Sequence, residues 1–303
     1  MINKKFNFSS LFKKANIFSL LIFILSIVFI SFKGLNFGID FKGGTLIELR
    51  VDNKNIRIGD IRSSFSNLNL GDVSIKEFGD KGDYLIKIEE SGKNDDKFIP
   101  NLKENIKKNL QSEVNFRRVE NVGPKVSTEL LQSGLIAIGL SLAAMLFYIW
   151  VRFEWQFSIG SIIALFHDVI ITVGIFSILS FEINLSIIAA VLTIVGYSMN
   201  DTVVIYDRIR ENLSKYSKMS INDIANLSIN ETLSRTVITS ITTLLALFSI
   251  FILGGEILRG FSFAMILGVI IGTYSSIFVA SPILKYLKVS YKTMAKEDEN
   301  IVP

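Results

Sequence analysis

Cysteine is absent from this 303-residue chain, which excludes disulfide staples, thiol chemistry and any cysteine metal site. Histidine occurs once, at His167, so a zinc site built from histidines has no basis. There is no HExxH motif. Gly196-Tyr197-Ser198-Met199-Asn200 lacks the closing glycine of a nucleophile elbow. Gly38–Thr45 resembles a phosphate loop only on the surface: Gly44 stands where the lysine before Thr45 would reach a phosphate, and a strand follows where a P-loop opens a helix. Neither an enzyme nor a nucleotide-binding protein is expected, and no cofactor is implied.

Only 4 residues are proline, while half are hydrophobic. The apolar residues are concentrated in long runs rather than spread as in a soluble chain. The first, Ala15–Phe32, follows Lys4, Lys5, Lys13 and Lys14 as a signal sequence would, but Lys33 comes directly after Phe32 with no small-residue cleavage site. It reads as an uncleaved span. The others are Leu135–Val151, Phe157–Phe181, Ile183–Tyr206, Thr236–Gly254 and Phe261–Leu284. Each is close to the ~20 residues needed to cross a hydrocarbon core. The expected organisation is a short N-terminal segment 1–14, a first span 15–32, a separate domain 33–133, a five-helix membrane domain 134–287 and a tail 288–303.

The net charge of +4 is topological. Between Lys33 and Ser133 there are 17 basic and 16 acidic residues. Of the 15 other basic residues, 13 fall before the first span, at Arg152, between Tyr206 and Ser220, or after Leu284. Alternating spans put those segments on one side, and the positive-inside rule makes that side, with both termini, cytoplasmic. Trp150 and Trp155 flank the Arg152 turn, where interfacial residues belong. No nucleic-acid partner is implied.

The 33–133 segment changes character. Thr45, Ile47, Leu49 and Val51 alternate with more polar neighbours, the period of a half-buried strand. Ile58, Ile61, Phe65 and Leu68 recur at helical spacing. Val73–Phe78 and Tyr84–Glu89 read as strands around a turn at Gly79–Asp83. Asp95 and Asp96 offer an N-cap for a helix with Phe98, Ile99, Leu102, Ile106 and Leu110 on one face, and Val114–Val119 closes as a strand. The order β-α-β-β-α-β is the ferredoxin-like split arrangement. The fold class is therefore a polytopic α-helical membrane protein of six transmembrane helices, with one ferredoxin-like α+β extracytoplasmic domain between the first two.

Ionisable residues inside spans cost ~2.5–3.5 kcal/mol or more to insert, so each needs a reason. Asp168, beside His167, lies near the middle of the third span; Asp201 lies in the fourth and Arg235 in the first turns of the fifth. Placing the fifth span after an amphipathic helix Ile221–Ile229 sets Asp201 and Arg235 at matching depth, able to pair. Two readings stay open: a static buried ion pair that fixes helix register, or a proton relay in which a buried carboxylate changes protonation as helices move. Asn200, Thr202, Thr239, Ser240, Thr242 and Thr243 fit two roles, a polar lining that holds waters or, for the serines and threonines, simple small packing residues. Ala264, Gly268, Gly272 and Ser276 form a small-residue face that calls for a tight neighbour.

Several motifs in one order resemble the SecF family: Phe37–Thr45, Val122–Val126, Phe166–Val169, Val195–Thr202, Asp207–Asn212, Asn230–Thr236, Leu258–Phe261 and Gly272–Ser276. The chain departs from the family pattern at Val126–Glu129, read as a linker. The resemblance implies a half-transporter of the resistance-nodulation-division superfamily in the bacterial inner membrane. It would pair with SecD beside the SecYEG channel, with YajC, SecA and YidC in the wider machinery, and use the proton-motive force to assist translocation of the exported polypeptide. Carried over by motif, Asp201, Arg235, Asp168 and His167 are the relay candidates. The main rival is half of a proton-driven exporter of small molecules or lipids, against which stands the lack of an internal repeat; a passive assembly subunit is the other.

Overall fold

A computed structural model of the chain describes residues 6–53, 56–66, 73–77, 81–89, 98–110 and 112–291. The expected N-cap at Asp95 and Asp96, the position of Leu68, Gly79 and Asp80 of the expected turn and the tail beyond Tyr291 lie outside the described residues. The helices are α1 (Phe12–Lys33), α2 (Ile39–Lys42), α3 (Ile58–Ser66), α4 (Phe98–Leu110), α5 (Pro124–Arg152), α6 (Trp155–Leu179), α7 (Leu185–Lys215), α8 (Ile221–Leu253), α9 (Gly255–Ser275) and α10 (Ser281–Tyr286). A π turn, Ser276–Ala280, joins the last two. The strands are β1 (Asn36–Phe37), β2 (Gly44–Val51), β3 (Val73–Glu77), β4 (Asp83–Ile88), β5 (Val114–Val122) and β6 (Glu182–Ile183).

Among the described residues six helical segments are long and apolar enough to cross a membrane, the last running through the π turn to Tyr286. The chain divides into two compact units. One is 1–36, 138–181 and 186–303 and holds most of the span residues; the other is 37–137, which includes the first turns of α5, together with 182–185.

In the second unit the antiparallel sheet has the order β3-β4-β2-β5. With the helices α3 and α4 between strands, this is the ferredoxin-like arrangement expected from the sequence. The alternation in β2 buries Ile47, Leu49 and Val51 with Ile61 and Phe65 of α3 and Leu102 and Ile106 of α4. Each such side chain contributes about 1.5–3 kcal/mol on leaving water. Gly43 and Gly44 have φ of 79° and 126°, and a Cβ on Gly44 would sit 2.4 Å from the Ile88 carbonyl oxygen, so the bend entering β2 requires glycine. Asp40, two residues beyond Gly38, accepts the Leu185 N–H at 2.8 Å and so caps the first residue of α7.

Asp83 is 3% exposed, yet charged partners surround it. Arg50 grips both of its carboxylate oxygens at 2.6 Å, and Arg117 Nη1 stands 3.2 Å from Oδ2. The Arg50 hydrogen bonds hold its carboxyl below the usual aspartate range, against the opposing effect of burial. A carboxylate with a depressed folded-state pKa stabilises above its unfolded pKa, and that contribution disappears as pH falls through the folded value. We therefore expect Asp83→Asn to cost this domain about 1–2 kcal/mol at pH 7 and progressively less as the pH falls below the ordinary aspartate range. Urea titrations of the full chain, read by hydrogen exchange across β2 and β4, check both halves; a cost that does not fall with pH would refute it.

In the membrane unit, α6, α7 and the last span are at least half buried, while α1, α5 and α8 are mostly on the outside. Hydrophobic burial gives little drive in lipid, so small residues set the contacts. A Cβ on Gly268 would lie 2.2 Å from Ile194, and one on Gly272 would lie 3.1 Å from Ser198 Cβ. The tight neighbour of the small-residue face is thus α7. On α1, Ser26 packs so closely on Gly174 of α6 that a Cβ there would meet it at 2.4 Å.

Two expectations are corrected. The polar stretch Ile221–Ile229 is not a separate amphipathic helix: α8 runs unbroken from Ile221, its start capped by Ser220, whose Oγ accepts the Asp223 N–H. It continues because α7 extends beyond the expected Tyr206 to Lys215 and supplies partners. Arg208 bonds Glu231 at 2.7 Å, Asn212 donates to Glu231 and to Ser228, and Ile209, Leu213, Ile224 and Ile229 share a core. Val126–Glu129 is not a linker either; it forms the opening turns of α5, where Ser127 and Thr128 donate to the Pro124 carbonyl. Asn226 and Asn230 of α8 also hold the entering chain, Asn226 accepting the Phe8 N–H at 2.7 Å and Asn230 exchanging two 2.8 Å bonds with Phe6.

Candidate functional site

Apolar helices must satisfy any charge they bury. Asp168, in the middle of α6, is 0% exposed. Its Oδ2 accepts from Ser198 Oγ of α7 and from Ser275 Oγ of α9, the latter at 2.7 Å. Its Oδ1 lies 2.8 Å from His167 Nδ1. An ionised Asp168 therefore has three donors and fixes Nδ1 as the protonated ring nitrogen. His167 is 5% exposed and its ring stacks on Phe23 of α1 with 2° between planes. Its other nitrogen, Nε2, is buried without a hydrogen-bond partner among the described residues.

Asp201 is 8% exposed on α7. It receives one long bond, from Thr273 Oγ1 of α9 at 3.4 Å, and Thr273 in turn pairs with Ser240 of α8 at 2.8 Å. It borders a small cleft lined by Tyr197, Asn200, Thr239, Ser240, Gly272 and Thr273. The direct Asp201–Arg235 pair does not form: Arg235 is exposed on α8, no ion pair within 4 Å joins the two, and Arg235 acts on Asp201 only through its field. The physical reason is the unbroken α8. The depth estimate treated Asn230 as the start of a new span, and a continuous helix fixes Arg235 on a different face.

The four candidates thus fall into two groups, His167 with Asp168 in a closed hydrogen-bonded cluster and Asp201 beside a polar cleft, while Arg235 is exposed on α8 and does not line it. Among the polar residues expected to line the site, Thr202 pairs with Ser276 at 2.8 Å and Ser240 with Thr273. Thr239 and Thr242 bond back to their own helix carbonyls. The residues missed are Ser198, Thr273 and Ser275, which bond the carboxylates themselves. The signal was present: Thr273-Tyr274-Ser275-Ser276 is a polar run inside an otherwise apolar span. Among the described residues no cluster of His, Asp or Glu could hold a metal ion. What the arrangement can do is take up and release protons at two carboxylates within a low-dielectric interior.

Comparison with known proteins places these residues in context. Residues 102–290 match the family model for the protein export membrane protein SecD/SecF, C-terminal, and residues 28–54 match the SecD/SecF GG motif. The chain is 46% identical over 280 residues to protein translocase subunit SecF of Rickettsia bellii, covering 92% of each chain. Its fold resembles the crystal structure of SecDF from Thermus thermophilus, with a TM-score of 0.85 and 35% identity over 95% of this chain. SecDF in its super-membrane-facing form gives 0.71 and 33% over 99%. The chain spans 39% and 41% of those two SecDF chains.

Proposed function

The chain belongs to the SecF family of protein-export membrane proteins, and from that premise we propose that it pairs with SecD to couple the proton-motive force to translocation of secreted polypeptides. It is a multi-pass protein of the bacterial inner membrane. Both termini are cytoplasmic in this reading, and the 33–133 domain is on the far side. The basic-residue asymmetry supports that topology, as do the ion pairs of Arg152 with Asp207, Glu154 with Arg210 and Arg208 with Glu231, which bring those segments to one side. Work is done beside the SecYEG channel, which the polypeptide enters.

The observation that carries the proton reading is the burial of two carboxylates, Asp168 and Asp201, among apolar helices. Hydrophobic residues of similar volume would be cheaper. Asp201, Arg235, Asp168 and His167 then form the relay, Asp201 taking protons at the polar cleft and Arg235 setting its electrostatic environment. The test is export of a preprotein into inverted membrane vesicles with and without this chain. SecD is expected to co-purify in mild detergent, and the export component removed by an uncoupler to depend on the chain. An uncoupler response that is unchanged without the chain would leave only a passive assembly role.

A further inference from the structure

Four consecutive residues of the last span bond four different neighbouring helices. Thr273 reaches Asp201 of α7 and Ser240 of α8. Tyr274 Oη donates to the Ala15 carbonyl of α1 and pairs with Ser19, each at 3.0 Å. Ser275 donates to Asp168 of α6, and Ser276 pairs with Thr202 of α7. The ~100° step between successive helical residues fans these side chains around the axis. The two carboxylates share no hydrogen bond with each other, yet donors to both come from one turn of one helix.

The π turn 276–280 begins at the end of this run. Two of its carbonyls accept side-chain donors: Ser281 Oγ donates to the Ser276 carbonyl at 2.9 Å and Tyr206 Oη to the Ala280 carbonyl at 2.8 Å. The Tyr206 latch needs Gly160, where a Cβ would lie 2.2 Å from the hydroxyl. A π turn interrupts the regular hydrogen-bond ladder, so the helix before it is not locked in phase with the helix after it. We propose that Thr273 and Ser275 are positioning residues, and that rotation of α9 against its π turn makes and breaks the donors of Asp201 and Asp168 together, so that the two carboxylates change protonation as a coupled pair.

The proposal rests on the proton-relay reading and deepens it. The titratable and charged groups around Asp168 are His167 on its own helix, with neutral Ser198 from α7, Ser275 from α9 and Phe23 from α1. Around Asp201 they are Arg235 from α8 and Tyr197 from α7; Tyr274 is turned to α1. A second rod exists, because Ser198 and Asp201 lie one turn apart on α7, but that stretch is regular helix without such an interruption.

Infrared difference spectroscopy of the full-length chain in lipid bilayers, with carboxylic bands assigned by Asp168→Asn and Asp201→Asn, reads the coupling. The Asp168 titration midpoint should differ between wild type and Asp201→Asn by about one to two pH units, the scale of one hydrogen bond to a charged group. Thr273→Ala or Ser275→Ala should reduce that difference to below about 0.3 units, whereas Thr273→Ser, Ser275→Thr and Ser198→Ala should preserve it. A difference that survives both alanine variants, or that Ser198→Ala removes instead, overturns the proposal. Bands that titrate independently overturn the coupling alone, and bands that never titrate overturn the relay with it. Loss of export with the coupled titration intact would fail the export reading only.

Discussion

Asp201→Asn should assemble with SecD at the wild-type level and lose the part of export that an uncoupler removes, so that the ratio of export with and without the proton gradient falls to about one. The amide is nearly isosteric and still offers an oxygen to Thr273, so the α7–α9 contact survives. It cannot ionise, and neutralising a buried group relieves an insertion cost of ~2.5–3.5 kcal/mol rather than adding one. The driving force forfeited is about 2.3 kcal/mol for each charge that would cross 100 mV. Because no ion pair joins Asp201 to Arg235, the substitution strands no buried cation. The measurement is uncoupler-sensitive export in inverted vesicles, normalised to assembled complex. Low abundance restored by adding Arg235→Gln would instead establish a static pair.

The sequence carried the architecture where local periodicity and burial agree. Ile47, Leu49 and Val51 of β2, Ile61 and Phe65 of α3, and Leu102 and Ile106 of α4 all face the core that their spacing called for. Asp168 and Asp201 were legible because a carboxylate in an apolar run is anomalous on its own. Their partners were not, since serine and threonine in a span satisfy their hydroxyls equally well on the preceding turn, as Thr239 and Thr242 do. Only the packing of α9 against α6 and α7 separates Ser275 and Thr273 from those. The Arg235 pairing failed for a related reason: facing depends on helix phase, and phase across residues 221–235 turns on whether α8 breaks. The polarity at Asn226, Asn230 and Glu231 looked like a boundary, but it is paired with α7 and the entering chain. The π turn left no recognisable trace in composition, because its side-chain partners are Tyr206, far away in sequence, and Ser281, neither of which is marked out in an apolar span.

The larger structural effect belongs to Asp168. Asp168→Ala removes the acceptor from Ser198, Ser275 and His167 at once, inside a site with no water-facing edge. Stranding that many buried donors costs on the order of 3–5 kcal/mol, enough to lower the amount of assembled protein several-fold. Asp168→Asn behaves differently. With its oxygen in the place of Oδ2 it keeps both serine donors, and its NH2, in the place of Oδ1, donates to His167 Nδ1 once the ring proton moves to Nε2. Abundance should therefore recover to near wild type in Asp168→Asn while uncoupler-sensitive export stays lost. The double variant Asp168→Asn with Asp201→Asn supplies the decisive comparison. If both carboxylates serve one proton path, the second substitution removes nothing further, since residues acting as a unit are non-additive. Export in the double variant should equal that of either single one, measured per assembled complex. A normal uncoupler response in Asp168→Asn, at normal abundance, would show that Asp168 and His167 only hold α6 to α7 and α9, and would confine the proton chemistry to Asp201.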